Sequence, residues 1–150
     1  MSAETDLIKL YSGRILSMAA KIPRTGRLPE ADATVTKRSP LCGSTVTVDV
    51  VLRDGQVTEY AQDVKACALG QAAASVVGDS IIGRAPSEIR SGAEELRAML
   101  KEGGPVPGDP WTGFEVLLPA RDYRNRHASI LLAIEAAAEA AEASEARESA

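Results

Sequence analysis

Hydrophobic positions along the chain repeat with two periods, and the shorter period predicts a β-sheet. Between 45 and 53 valines alternate with polar residues, which is typical of a half-buried strand. Asp54 and Gly55 follow, a dipeptide that favours a tight hairpin turn, and 57–64 reads as a second, weaker strand. One short edge strand is expected near 33–36, within a proline-containing loop.

The longer period, apolar residues three and four positions apart, predicts helices around these strands. The expected helices cover 5–20 with Thr5 or Asp6 near the cap, 68–77, 87–100, one or two turns at 111–118, and a final helix that starts near Arg126 or His127. A sheet with helical covers belongs to the α+β class. The predicted fold is therefore a small antiparallel sheet packed against helices.

Chain length and composition predict one domain over 1–150. A chain of 150 residues buries enough surface to fold without a disulfide or a metal. From about 138 to 150 the sequence is acidic, alanine-rich and helix-prone, with almost nothing large to bury. We expect this tail to fray at its end.

Charge and aromatic content argue against nucleic acid and membrane as partners. The chain has 17 basic and 21 acidic side chains, a net charge of −4, and only 3% aromatic residues. Phosphate neutralisation and base stacking therefore have little to build on. No run approaches the roughly 18 apolar residues of a membrane span, and MSAETD lacks the basic and apolar pattern of a secretion signal. These features predict a cytoplasmic protein.

Two cysteines and one histidine are the candidate soft-metal ligands. Cys42 precedes the first clear strand, Cys67 lies where the second strand meets the small-residue helix, and His127 starts the last helix. Three such junctions can meet at one end of a two-layer domain. The positive end of the helix dipole favours a thiolate at Cys67. The spacings match no compact zinc motif, so simple packing of both thiols stays open as an alternative.

Other common chemistries lack their residues. The glycines fit neither of two phosphate-binding loop patterns, GxxxxGK(S/T) and GxGxxG. Ser75 or Ser129 as a nucleophile would lack a second histidine and a GxSxG context. No catalytic residue is therefore predicted.

The order of these features resembles the NifU N-terminal/IscU-type iron–sulfur cluster assembly scaffolds over about residues 5–140. The resemblance rests on SPLCG at 39–43 ahead of the alternating strand, DG at 54–55, CA at 67–68, LPAR at 118–121 and RHASIL at 126–131. It implies a SufE/NifU-like α+β fold with a ligand site at one end. Such proteins assemble a [2Fe–2S] or related cluster from iron and cysteine-derived sulfur and pass it to apo-proteins.

The resemblance also implies a ligand set, from which this chain departs. The family uses three cysteines, an aspartate two residues after the first, and in IscU proteins a histidine directly before the third. Cys42 and Cys67 match the first two, while Ser44 stands at the aspartate position and Ala128 at the third cysteine. Alignment to SufU-type chains instead sets His127 in the cysteine's place.

The implied site is therefore Cys42, Cys67 and His127, with Ser44 and Arg126 beside it. Two thiolates and an imidazole suit a [2Fe–2S] cluster or iron, and also zinc with one open position. The fourth ligand could be water, an exogenous thiol, a partner chain or another side chain. Three functions stay open: a scaffold or carrier of iron–sulfur clusters, a zinc-binding or regulatory relative, and a SufE-type persulfide acceptor using one thiol.

The scaffold interpretation implies a carrier rather than an enzyme, and it implies two kinds of protein partner. A cysteine desulfurase supplies sulfur, and apo iron–sulfur proteins accept the product. Docking could use the basic stretch 121–126, which stands out in an otherwise acidic chain. We expect a monomer or weak dimer.

Overall fold

Helices pack on a three-stranded antiparallel sheet in the part of the chain that the computed structural model describes, residues 12–40 and 43–148. The elements are α1 (Gly13–Ala20), β1 (Ala33–Arg38), β2 (Thr45–Arg53), β3 (Gln56–Lys65), α2 (Ala68–Ser80), α3 (Pro86–Lys101), a 3₁₀ segment η1 (Thr112–Asp122) and α4 (Arg124–Glu148). The predicted α+β class is confirmed. Within these residues no helix is long and apolar enough to cross a bilayer.

The sheet has the order β1-β2-β3, and the predicted hairpin turn joins β2 to β3. Asp54 and Gly55 both take positive φ, at 54° and 77°, which the tight turn between β2 and β3 requires. Val48 pairs with Val35 on β1 and with Gln62 on β3. The edge strand predicted near 33–36 is present and is two residues longer at its end.

One face of the sheet and the long helix α4 form much of the core. The alternating side chains of β2, Val46, Val48, Val50 and Leu52, are buried against the helices. Helix α4 runs to Glu148, and the small side chains in its second half are buried, among them Ala138, Ala141 and Ser144. Alanine allows the helix to lie close to its neighbours, so small residues suffice there. Fraying of the tail in solution stays a prediction.

Helix α1 begins inside the predicted span 5–20, and α4 begins earlier than predicted. Ser12 caps α1, since its Oγ accepts a hydrogen bond from the Ile15 amide at 3.3 Å. The predicted cap at Thr5 or Asp6 lies outside the described residues. Helix α4 starts at Arg124, earlier than expected, because η1 leads into it after a single residue.

On the other face of the sheet a buried carboxylate fastens the loop that precedes β1. The Asp49 side chain is 1% exposed and accepts hydrogen bonds from Arg27 Nε at 2.7 Å and the Leu28 amide at 3.0 Å. The Thr34 hydroxyl donates to it as well. Burial would raise the pKa of Asp49, but these hydrogen bonds and the Arg27 charge outweigh burial and hold the pKa below its ordinary value.

Replacing the Asp49 carboxylate tests how much its hydrogen bonds to the loop before β1 stabilise the fold. We expect Asp49→Asn to lower the free energy of unfolding at pH 7 by about 1–3 kcal/mol, because charge-assisted hydrogen bonds to a buried group are lost. The pKa of Asp49 is depressed in the folded state, so its contribution is present above the ordinary aspartate pKa and disappears as pH falls through the folded value. Urea unfolding at pH 7 and pH 3 measures both effects.

Asp63→Asn, at an exposed position on β3, is the control and should change little. A wild-type advantage over Asp49→Asn that is equally large at both pH values would contradict this account.

Candidate functional site

Cys67 lies at the start of α2, as the sequence predicts. It is the N-cap residue, with extended backbone at φ −67° and ψ 170°, and its free thiol is half-buried. Its carbonyl accepts the first helical hydrogen bond, from the Gln71 amide at 2.9 Å. The sulfur is thus held at the end of a helix whose own side chains are mostly buried.

Two buried hydroxyl groups adjoin this sulfur. Cys67 Sγ lies 3.4 Å from Ser129 Oγ, and Ser129 Oγ lies 3.1 Å from Ser44 Oγ. Both serines, hereafter the hydroxyl pair, are at least 96% buried. Three elements therefore meet here: the start of β2, the start of α2 and the beginning of α4.

Gly70 makes this meeting possible. A Cβ at Gly70 would lie 2.8 Å from Ser129 Oγ and 2.9 Å from Ala66 Cβ, which is closer than real Cβ contacts allow. Helices α2 and α4 can approach to this distance only because the residue is glycine. The glycine thus sets the separation at which Ser129 reaches Cys67.

Backbone hydrogen bonds join the described residues on either side of positions 41 and 42. The Ser39 amide donates to the Ser44 carbonyl at 2.8 Å, and the Gly43 amide donates to the Ser39 carbonyl at 2.9 Å. Gly43 takes a positive φ of 71°, which favours glycine. Cys42 itself lies outside the described residues, so its place in the site stays a prediction.

The His127 side chain points towards η1, and its Nε2 atom contacts carbonyls of η1 and not the Cys67 thiol. The residue is 2% exposed, and Nε2 lies 3.0 Å from the Ala120 carbonyl and 3.1 Å from the Arg121 carbonyl. Carbonyls only accept, so Nε2 carries a proton and donates. His127 and Ser129 are two residues apart, about 200° around a helix, so their side chains leave α4 on opposite sides.

The arginines of the predicted basic stretch 121–126 differ in their surroundings: one is hydrogen-bonded to the backbone and the others lie nearer the surface. Arg121 donates from Nε to the Met99 carbonyl and from Nη2 to the Gly104 carbonyl, both at 2.8 Å, and so satisfies acceptors at the end of α3. Arg124 is exposed and Arg126 is half-buried. Arg124 and Lys101 also line a cavity of about 250 Å³ that reaches His127. The Arg121 guanidinium is therefore engaged by backbone carbonyls of this chain, whereas Arg124 is exposed to solvent.

Sequence reasoning considered Ser129 only as a nucleophile and so missed its contact with Cys67. The available signal was helical spacing: a residue two positions after His127 faces the other side of α4. Within the described residues, no three His, Cys, Asp or Glu side chains are grouped closely enough to hold a metal ion. Chemically, the described part of the site offers one sulfur ligand and two hydrogen-bonding hydroxyls.

The fold and site define a class: small α+β domains with a three-stranded antiparallel sheet and a thiol at the start of a helix. A crystal structure of a nitrogen-fixing NifU-like protein (N-terminal) from Brucella abortus superposes with a TM-score of 0.91. It is 44% identical and matches 95% of this chain and 99% of its own. The putative SufU scaffold of Fervidobacterium islandicum AW-1 has a TM-score of 0.80 over 89% of this chain and 98% of its own at 18% identity, which shows the shared fold.

Comparison of sequences points to the same class of protein. The iron–sulfur cluster assembly scaffold protein IscU of Thermotoga maritima is 31% identical over 90 residues, which is 60% of this chain and 63% of that relative. The match thus spans less than two thirds of the curated relative's length. No protein-family model matches the sequence. The chain belongs to the NifU/IscU-like family of iron–sulfur cluster assembly scaffold proteins, and the predicted resemblance is confirmed.

The hydrogen bonds of His127 predict a role in stability without any metal. We expect His127→Ala to lower the free energy of unfolding by about 1–3 kcal/mol, because two carbonyls lose their donor and a cavity opens. Urea unfolding in the presence of a chelator measures this. Asn125→Ala, at an exposed position on the same helix, is the control. Equal stability of His127→Ala and wild type would contradict the assigned contacts.

Proposed function

We propose that this chain is an iron–sulfur cluster assembly scaffold or carrier. Iron and sulfide, or a preformed [2Fe–2S] cluster, are held through Cys42 and Cys67 and handed to acceptor proteins. The observation that carries the proposal is the half-buried Cys67 thiol, which combines partial exposure to solvent with fixed hydroxyl neighbours. Membership of the scaffold family supports the same function.

Covalent geometry supports Cys42 as the second thiolate. Cys42 precedes Ser44 by two residues, so their Cα atoms lie within about 7.6 Å of each other. Ser44 is joined through Ser129 to Cys67 by contacts of 3.1 and 3.4 Å. A cysteine so tethered can share a cluster with Cys67. Thiolates are the ligands that iron–sulfur clusters prefer.

His127 can add a third ligand only through Nδ1, since Nε2 donates to the carbonyls of η1. The remaining coordination positions then belong to an exogenous thiol, water or a partner chain. Ligands that the protein does not itself supply can be exchanged, which suits cargo that is held and then released. A cysteine desulfurase would supply the sulfur, and apo iron–sulfur proteins would receive the cluster.

Metal and sulfide analysis of anaerobically prepared protein tests the proposal. We expect matched iron and acid-labile sulfide in wild type and their loss in Cys42→Ser and in Cys67→Ser, because each variant removes a thiolate. The exposed position Ser91→Ala serves as the control and should keep both. A folded His127→Ala variant decides the third ligand: loss of iron assigns Nδ1, and retention restricts the protein's ligands to the thiolates.

Transfer is measured by mixing loaded protein with an apo-ferredoxin and following visible circular dichroism of the acceptor. Zinc without sulfide, lost in the same variants, would contradict the scaffold proposal in favour of a zinc-binding relative. Persulfide on one cysteine without iron would contradict it in favour of a sulfur acceptor.

A further inference from the structure

We propose that the hydroxyl pair is a hydrogen-bond relay that donates to the Cys67 sulfur and positions it for its cargo. The inference rests on the proposed function, because it assigns to Ser129 and Ser44 a part in holding the same cargo. Its geometric basis is the continuous path from Ser44 Oγ to Ser129 Oγ at 3.1 Å and on to Cys67 Sγ at 3.4 Å.

Cargo binding fixes the direction of this relay. A metal-bound thiolate has no proton and can only accept, so the single hydroxyl proton of Ser129 must point at the sulfur. Ser129 Oγ is then left with acceptor capacity, which the Ser44 hydroxyl can satisfy by donating across 3.1 Å. The Ser129 proton therefore points towards Cys67 whenever the sulfur is ligated, with Ser44 Oγ next to the Ser129 oxygen.

Packing keeps the relay in place. Ser129 is 1% exposed, and the space over Gly70 leaves its Oγ against the start of α2. Ser44 is 4% exposed at the beginning of β2. Both hydroxyl oxygens are thus buried and in place before cargo arrives, and only the direction of their protons changes on binding.

The relay places neutral hydroxyl groups, and no carboxylate of Ser44 or Ser129, beside the sulfur. Ser44 stands at the position where the family resemblance expects an aspartate. A hydroxyl that donates to sulfur withdraws electron density from it, whereas a carboxylate would add charge near the cluster. Hydrogen bonds to ligating sulfur raise the reduction potential of a bound cluster. The relay should thus make the cargo of this chain easier to reduce.

Cobalt(II), which binds thiolates and gives sulfur-to-metal charge-transfer bands, is the probe. In Ser129→Ala we expect these bands to shift to longer wavelength, because the sulfur lone pairs rise in energy without their donor. Ser129→Thr, which keeps the hydroxyl, should restore the wild-type band position.

Ser144→Ala is the matched control, since it removes a buried hydroxyl from the same helix that bonds only the Ala140 carbonyl at 2.9 Å. Should Ser129→Ala not fold, Ser44→Ala tests the outer donor and should shift the bands in the same direction by less. Bands that are present but unmoved in the folded serine variants, or moved equally by Ser144→Ala, would overturn the relay alone. Absence of cobalt–sulfur bands in wild type would overturn the proposed function and the relay together.

Discussion

The close approach of α2 and α4 at Gly70 is the constraint on which the site depends. A side chain at this position would collide with Ser129 Oγ, at 2.8 Å from an added Cβ. With glycine, the beginning of α4 lies against the start of α2, and Ser129 reaches the Cys67 sulfur at 3.4 Å. The packing of α2 against α4 thus sets which group of α4 lies next to the sulfur.

Two residues of helix α4 that are two positions apart make contacts on opposite sides of the helix. Ser129 faces α2 and the thiol, while His127 faces η1 and donates to the Ala120 and Arg121 carbonyls. The imidazole ties α4 to η1 on the side of the helix opposite Ser129. His127, which the sequence predicts as a ligand, thus also has a structural role that needs no metal.

Much of the fold could be predicted because its signals are local. Valine alternation and the turn at Asp54 and Gly55 predict the hairpin, and both appear as expected. The contact between Cys67 and Ser129 could not be predicted, since it joins residues 62 positions apart through a helix crossing. The orientation of His127 was equally hidden, because it depends on where η1 places two backbone carbonyls. Cys42 lies outside the described residues and stays a prediction.

The central claim is that cargo iron is bound at the start of α2, by the sulfur that the packing of α2 and α4 holds in place. The most direct test is a crystal structure of anaerobically loaded protein with diffraction data collected at the iron absorption edge. The account predicts an anomalous peak within bonding distance of Cys67 Sγ and next to the Ser129 hydroxyl. Iron located elsewhere on the chain, with the Cys67 sulfur unligated, would contradict it.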